Sequence, residues 1–215
     1  GIFGQLHYKV TSAFGITGGL RYSREEHILD ADAYISNASG ARLAPSPFFA
    51  VPFDGLKQTN TGVTPKITLD YTFNPSLFTY FTWAKGETSG GWNPAPSYRD
   101  YLISRPVDPE KVTSYELGLK STAFNNRVQN NIALFYNDYE GYRTSLTNPV
   151  IRGVPITGGQ VLANADSAHT WGAELESSVQ ITSDWQTSFS VSYLQTKIDQ
   201  FLPDDITTLA DYTGN

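Results

Sequence analysis

Four times along this chain, two stretches of alternating apolar and polar residues are joined by a tight turn, and long loops separate the four pairs. In the third pair Tyr115, Leu117 and Leu119 alternate with Glu116, Gly118 and Lys120. The chain then turns at Asn125-Asn126, and Ile132, Leu134 and Tyr136 alternate with Asn131, Ala133 and Asn137. A period of two predicts strands with one apolar and one polar face. Short turns at one end and long loops at the other are the organisation of a membrane-spanning β-barrel wall.

The remaining strands follow the same rule. Strand one, Ile2 to Val10, sets Ile2, Leu6, Tyr8 and Val10 against Gln5, His7 and Lys9. Strand two, Phe14 to Ser23, sets Phe14, Ile16, Gly18, Leu20 and Tyr22 against Thr17, Gly19, Arg21 and Ser23. Strand three, Pro65 to Phe73, sets Ile67, Leu69, Tyr71 and Phe73 against Lys66, Thr68, Asp70 and Thr72, and Asn74-Pro75-Ser76 turns it. Strand four, Leu77 to Lys85, is apolar on both faces, so alternation leaves its orientation open. In strand seven Ala173, Leu175, Val179 and Ile181 face away from Glu174, Glu176, Ser178 and Gln180. After the turn at Ser183-Asp184, strand eight sets Trp185, Phe189, Val191 and Tyr193 against Gln186, Ser188, Ser190 and Ser192.

Residues of about 30 to 60, 86 to 111 and 141 to 170 lack a sustained period and read as long loops, and the tail from Asp199 reads as the start of a fourth. The turns recur at a spacing on the order of 50–60 residues, which raises a propeller repeat. Two long strands per repeat, rather than four short ones, argue against it. Strands of about 9–11 residues match a tilted bilayer crossing.

Composition is compatible with this wall. At 40 % hydrophobic residues the chain is too polar for a helical membrane protein, and no run approaches the roughly 18 apolar residues of a spanning helix. Only every second residue of a barrel strand meets lipid. Cysteine is absent, which excludes disulfides, thiolate metal sites and cysteine nucleophiles. Aromatics (13 Tyr, 12 Phe, 4 Trp) gather near strand ends, where interfacial girdles lie, although aromatics also favour strands in general. A net charge of -6 without basic patches argues against nucleic acid as a partner.

Several segments in order resemble TonB-dependent outer-membrane receptors. Phe3-Gly4-Gln5 and Gly19-Leu20-Arg21-Tyr22 open the series, and Tyr80-Phe81-Thr82-Trp83-Ala84-Lys85-Gly86 with Ser89-Gly90-Gly91-Trp92-Asn93 continues it. Pro109-Glu110-Lys111-Val112-Thr113-Ser114-Tyr115-Glu116-Leu117-Gly118-Leu119-Lys120 is similar to the most recognisable barrel signature of that family. Phe135-Tyr136-Asn137-Asp138-Tyr139, Asn164-Ala165-Asp166 and Trp171-Gly172-Ala173-Glu174-Leu175-Glu176 follow at the expected places.

The resemblance implies an antiparallel transmembrane β-barrel wall of about eight strands in four hairpins, part of a barrel of roughly 22 strands. Residues 1–215 are then expected to be a partial receptor barrel in the outer membrane of a Gram-negative bacterium. No leader at Gly1, no plug domain and no terminal aromatic are seen, as expected of an internal segment. The implied work is energy-coupled uptake of a scarce ligand such as a siderophore–metal complex, cobalamin or carbohydrate. Its partners are outer-membrane lipid, the transported small ligand and, through the plug, the inner-membrane TonB complex. Neither enzymatic activity nor a cofactor is expected.

Alternation places Arg21, Lys66, Asp70, Glu116, Lys120, Glu174 and Glu176 in the lumen, since a cation on the lipid face costs about 2–4 kcal/mol near the midplane. Gly118 either makes room for large neighbours or eases strand curvature. Glu174 and Glu176 share a face at roughly 7 Å, a spacing open to an acid–base pair, but a lumen wall explains both. His7, His27 and His169 show no ligand spacing, and Asp30 with Asp32 and Asp204-Asp205 lack the calcium-loop pattern, so no metal is expected. Asn37-Ala38-Ser39 matches a glycosylation sequon that has no use in a bacterial outer membrane. The loop from Gly86 to Lys111 has the best claim on ligand, with Trp92, Tyr98, Arg99, Tyr101 and Arg105 offering aromatic platforms and fixed cations. Two other architectures compete: a complete eight-stranded outer-membrane barrel with an adhesin or structural role, and a soluble β-sandwich binding or enzyme domain.

Overall fold

A computed structural model describes residues 1–31, 34–45, 53–92, 106–147, 150–151, 154–155, 160–200 and 206–207. Eight long strands form one antiparallel sheet: β1 (Ile2–Lys9), β2 (Phe14–Ala31), β3 (Phe53–Asn74), β4 (Leu77–Thr88), β5 (Glu110–Ala123), β6 (Val128–Thr147), β7 (Gln160–Gln180) and β8 (Gln186–Gln200). Each strand pairs with its sequence neighbour, and no pairing joins β1 to β8 among the described residues. Short ladders accompany the sheet: Tyr34–Ser36 with Arg42–Pro45, Gly91–Trp92 with Pro106–Val107, and Val150–Ile151 with both Val154–Pro155 and Ile206–Thr207.

The turns follow from their residues. Thr11 Oγ1 accepts from the N–H of Ala13 and Phe14, and Asn74 Oδ1 accepts from Ser76 N at 2.8 Å. The β5–β6 turn holds Phe124, Asn125 and Asn126 at φ 53, 56 and 64, the left-handed backbone that Asn adopts readily.

Strands β2, β3, β6 and β7 run well beyond the alternating segments, into residues whose aperiodic sequence predicts loops. The ladder simply continues there, from Arg24↔Thr61 to Leu29↔Leu56 and from Tyr142↔Ala165 to Thr147↔Gln160. Hydrogen bonds hold these extensions without a lipid face to impose alternation.

Register sorts the side chains of the sheet. One face carries Leu20, Ile67, Leu69, Phe81, Leu117, Leu134 and Val191, each between 38 % and 61 % exposed. Among the described residues the buried apolar side chains are few and lie at the long-loop end: Val107, Leu146, Ala163, Ala165 and Ala168. Two stacked sheets would bury one of these faces in a common core, and here the large apolar face is open.

That face is bounded by aromatics. Trp83, Tyr115, Tyr136 and Trp171 are successive register partners across β4, β5, β6 and β7. The next row outward is Lys85, Thr113, Asp138, His169 and Lys197, so apolar surface gives way to charge within one step. The unbroken apolar run of that face ends at Tyr22 on β2, four residues above the aromatic row, and at Tyr193 on β8, two below it. Six residues of drift over six strand spacings, at about 3.3 Å per residue and about 4.8 Å per strand, give a tilt of roughly 35°. Strands of a barrel lean by this much.

Candidate functional site

The polar face is built from cross-strand partners fitted around glycines. Tyr80 sits opposite Gly118, and its ring occupies the place where a side chain at 118 would begin. Its hydroxyl donates to Glu116 Oε1 at 2.6 Å, and Lys120 Nζ lies 6.0 Å from the ring centroid. Phe135 covers Gly172 in the same way, within 2.7 Å of the position a Cβ would take. At the short-turn end Gly15 leaves room for Asp70 from β3 and His7 from β1, whose Nδ1 is 3.9 Å from Asp70 Oδ1. Of the two readings of Gly118, room for a large neighbour is the one realised.

Four of the charged residues read as lumen wall share one depression: Glu116, Lys120, Glu174 and Glu176 surround a cavity of about 230 Å³ with Tyr80 and Asn131. Arg21 lies elsewhere, in a cavity of about 210 Å³ at the long-loop end with Glu25, Asn60, Glu87 and Ser89. Lys66 pairs in register with Gly19 and Ala84 and lines neither. Glu174 and Glu176 have register partners Ala133 and Asn131 on β6 and Ser192 and Ser190 on β8.

Of the five loop residues proposed for ligand contact, Tyr98, Arg99, Tyr101 and Arg105 lie outside the described residues, as do Asp32, Asp204 and Asp205. Trp92 is described. Its backbone pairs with Pro106, its Nε1 is buried without a partner, and the ladder it belongs to rests on β3 through Gln58 Nε2, which donates to Val107 O at 3.3 Å. No cluster of three metal-ligating side chains occurs among the described residues.

Other participants have roles that alternation along the chain does not reveal. Asn164 clasps three strand tops: Oδ1 accepts from Asp108 N at 2.9 Å, while Nδ2 donates to Asp108 O at 3.1 Å and Gly141 O at 2.7 Å. Gly141 takes φ 64 there. Glu110 Oε2 accepts from Arg143 N at 2.8 Å. Above the aromatic row His169 Nδ1 meets Asp199 Oδ2 at 2.6 Å, Lys197 Nζ lies 3.6 Å from Asp199, and His169 stacks on Tyr136 at 5.8 Å. The His169 hydrogen bond holds the Asp199 carboxyl below the usual carboxylate range. Ser89 does the same for Glu25, with His27 and Arg21 adding to it.

Comparison with known proteins places this wall. The family model described as "TonB dependent receptor-like, beta-barrel" matches residues 1–215. The ferric-pyoverdine 358 receptor of Pseudomonas putida is 33 % identical over 97 residues, 45 % of this chain and 11 % of that protein. The ferric yersiniabactin uptake receptor FyuA of Yersinia pestis superposes with a TM-score of 0.66 at 22 % identity, over 94 % of this chain and 27 % of that one. The alcaligin outer-membrane receptor FauA of Bordetella pertussis gives 0.56 at 21 %, over 94 % and 30 %. The copper transporter OprC gives 0.63 at 18 %, over 92 % and 29 %. This chain thus spans about a tenth of the curated relative and under a third of each solved neighbour. The apolar belt that has no core to enter therefore meets lipid, and the chain belongs to the TonB-dependent receptor β-barrel family of the Gram-negative outer membrane.

Proposed function

We propose that this chain is an eight-strand arc in the wall of an energy-coupled uptake receptor for a scarce small ligand. The observation that carries the reading is the pair of opposed faces: a lipid-facing belt edged by Trp83, Tyr115, Tyr136 and Trp171, backed by a charged face fit to line a lumen. The unpaired edges of β1 and β8 favour an arc of a larger barrel over a closed eight-stranded one, because unpaired backbone is not viable in lipid.

On this reading the ligand is a metal chelate, the chemistry named for the ferric-pyoverdine and ferric-yersiniabactin receptors. It is captured at the long-loop end, where the loop of residues 86 to 111 supplies Trp92, Tyr98, Arg99, Tyr101 and Arg105. Energy reaches the receptor from the inner-membrane TonB complex through a plug filling the lumen, against the wall residues Lys66, Asp70, Glu116, Lys120, Glu174 and Glu176, with Arg21 at the long-loop end above them. No covalent chemistry is assigned; the work is binding, gating and conformational change.

Uptake of radioactive iron offered as a panel of chelates, by cells with and without the receptor, tests this. Accumulation of at least one chelate should require the receptor and stop when the proton gradient is collapsed. Accumulation that survives collapse, or no receptor-dependent uptake of any metal chelate, contradicts it. Alanine at Trp92, Arg99 and Arg105 together should reduce binding of that chelate.

A further inference from the structure

The cavity of about 210 Å³ at the long-loop end of the polar face has unusual walls. Arg21 from β2 and Glu87 from β4 both line it; among the described residues Glu87 makes no ion pair or hydrogen bond, and Arg21 has only the electrostatic pull of Glu25, which shares the cavity. Asn60 from β3 also lines it, and its Nδ2 is a buried donor with nothing to donate to. A buried amide donor with no acceptor is unfavourable, and beside it the exposed guanidinium of Arg21 and the half-buried carboxylate of Glu87 are open to a ligand.

The remaining walls keep this arrangement in place. Gly62 makes room for Glu87, whose Oε2 lies 2.8 Å from where a Cβ at 62 would sit. Ser89 donates to Glu25, so Glu25 stays ionised and is held in position. Arg21 pairs in register with Thr64 on β3, and both face the space. The volume is that of roughly seven waters, room for a group of amino-acid size.

We propose that this cavity is a subsite for a zwitterionic, amino-acid-like group of the transported ligand; this rests on the uptake-receptor reading. A carboxylate would take the fork of Arg21 and the amide N–H of Asn60, since guanidinium matches carboxylate in two parallel hydrogen bonds. An ammonium would sit against Glu87 and Glu25. The two halves of the ligand group are then read by opposite charges from different strands, so a group lacking either half leaves one wall charge unanswered.

The test uses the intact receptor that contains this chain, purified in detergent, with L-glutamine as the zwitterionic probe. Calorimetric titration compares it with N-acetyl-glutamine, which lacks the ammonium, and with 4-aminobutanamide, which lacks the carboxylate. L-glutamine should bind in the millimolar range and both analogues at least tenfold more weakly. Arg21→Gln and Glu87→Gln should each weaken L-glutamine at least tenfold, and Lys9→Gln at the short-turn end should not. Equal affinity for all three probes, no L-glutamine binding, or unchanged affinity in the two variants overturns the subsite. So does a lowered unfolding temperature in those variants with affinity unchanged, because the charges would then pair within the protein. Energy-dependent chelate uptake, assayed separately, reports on the receptor reading: intact uptake with no L-glutamine binding discards the subsite alone.

Discussion

Tyr80 lies across Gly118, with its ring in the space of the missing side chain and its hydroxyl 2.6 Å from Glu116. Two strands are locked by this pair at membrane depth, and the lock depends on residue 118 being Gly. Gly118→Ala should therefore displace the ring and destabilise the barrel by about 1–3 kcal/mol, the usual cost of forcing extra volume into a fitted contact. Tyr80→Ala in the same molecule should relieve most of that loss. Tyr80→Phe keeps the ring and removes only the hydrogen bond, an effect on the order of 1 kcal/mol. Denaturant unfolding of the intact receptor in detergent measures all three.

Tyr80 also marks where sequence reading stops. Strand four is apolar on both faces, and the two-residue turn at Pro75-Ser76 by itself would set Tyr80 opposite Tyr71, on the lipid side. A register shift between Thr72 and Asn74 instead sets it opposite Asp70. One residue of slip exchanges the two faces of a strand, and nothing in Thr72-Phe73-Asn74 announces it. The other wall strands were legible because lipid on one side and water on the other enforce a period of two. Above Tyr22 and Trp171 both faces meet water, so the continuing ladders of β2, β3, β6 and β7 carried no pattern to read. The cavity of Arg21, Asn60 and Glu87 joins residues far apart in the chain, and only register brings them together.

The two faces should respond oppositely to one substitution. Leu134 is an apolar-face residue, half exposed, in register with Leu117 and Ala173. Leu134→Arg should destabilise the barrel by up to about 2–4 kcal/mol, the cost of a cation at the bilayer midplane. Asn131→Arg on the polar face of the same strand should change stability little. Reversible unfolding of the receptor in lipid vesicles separates the two.

Above the aromatic row, His169 and Asp199 join the tops of β7 and β8. The His169 hydrogen bond depresses the Asp199 pKa, so the pair is favourable above the ordinary aspartate range and is lost as the pH falls through the lowered value. Both groups are accessible to water, so the effect is local rather than a large share of stability. Carbon-13 NMR titration of labelled aspartate should place the Asp199 midpoint below about 3.9, the unperturbed value, and His169→Ala should move it upward. A midpoint at or above that value contradicts the assigned hydrogen bond.

The central claim is that this sheet has lipid on one face and an aqueous lumen on the other. Single cysteines placed at each position from Ser114 to Lys120 except Gly118, where the Tyr80 ring leaves no room, test it in the outer membrane, since the segment has no cysteine of its own. A membrane-impermeant thiol reagent should label 114, 116 and 120 more than a lipid-soluble one does. The lipid-soluble reagent should prefer 115, 117 and 119. Alternation with a period of two in the ratio of the two reagents is the predicted result; a flat ratio across the six positions would contradict the account.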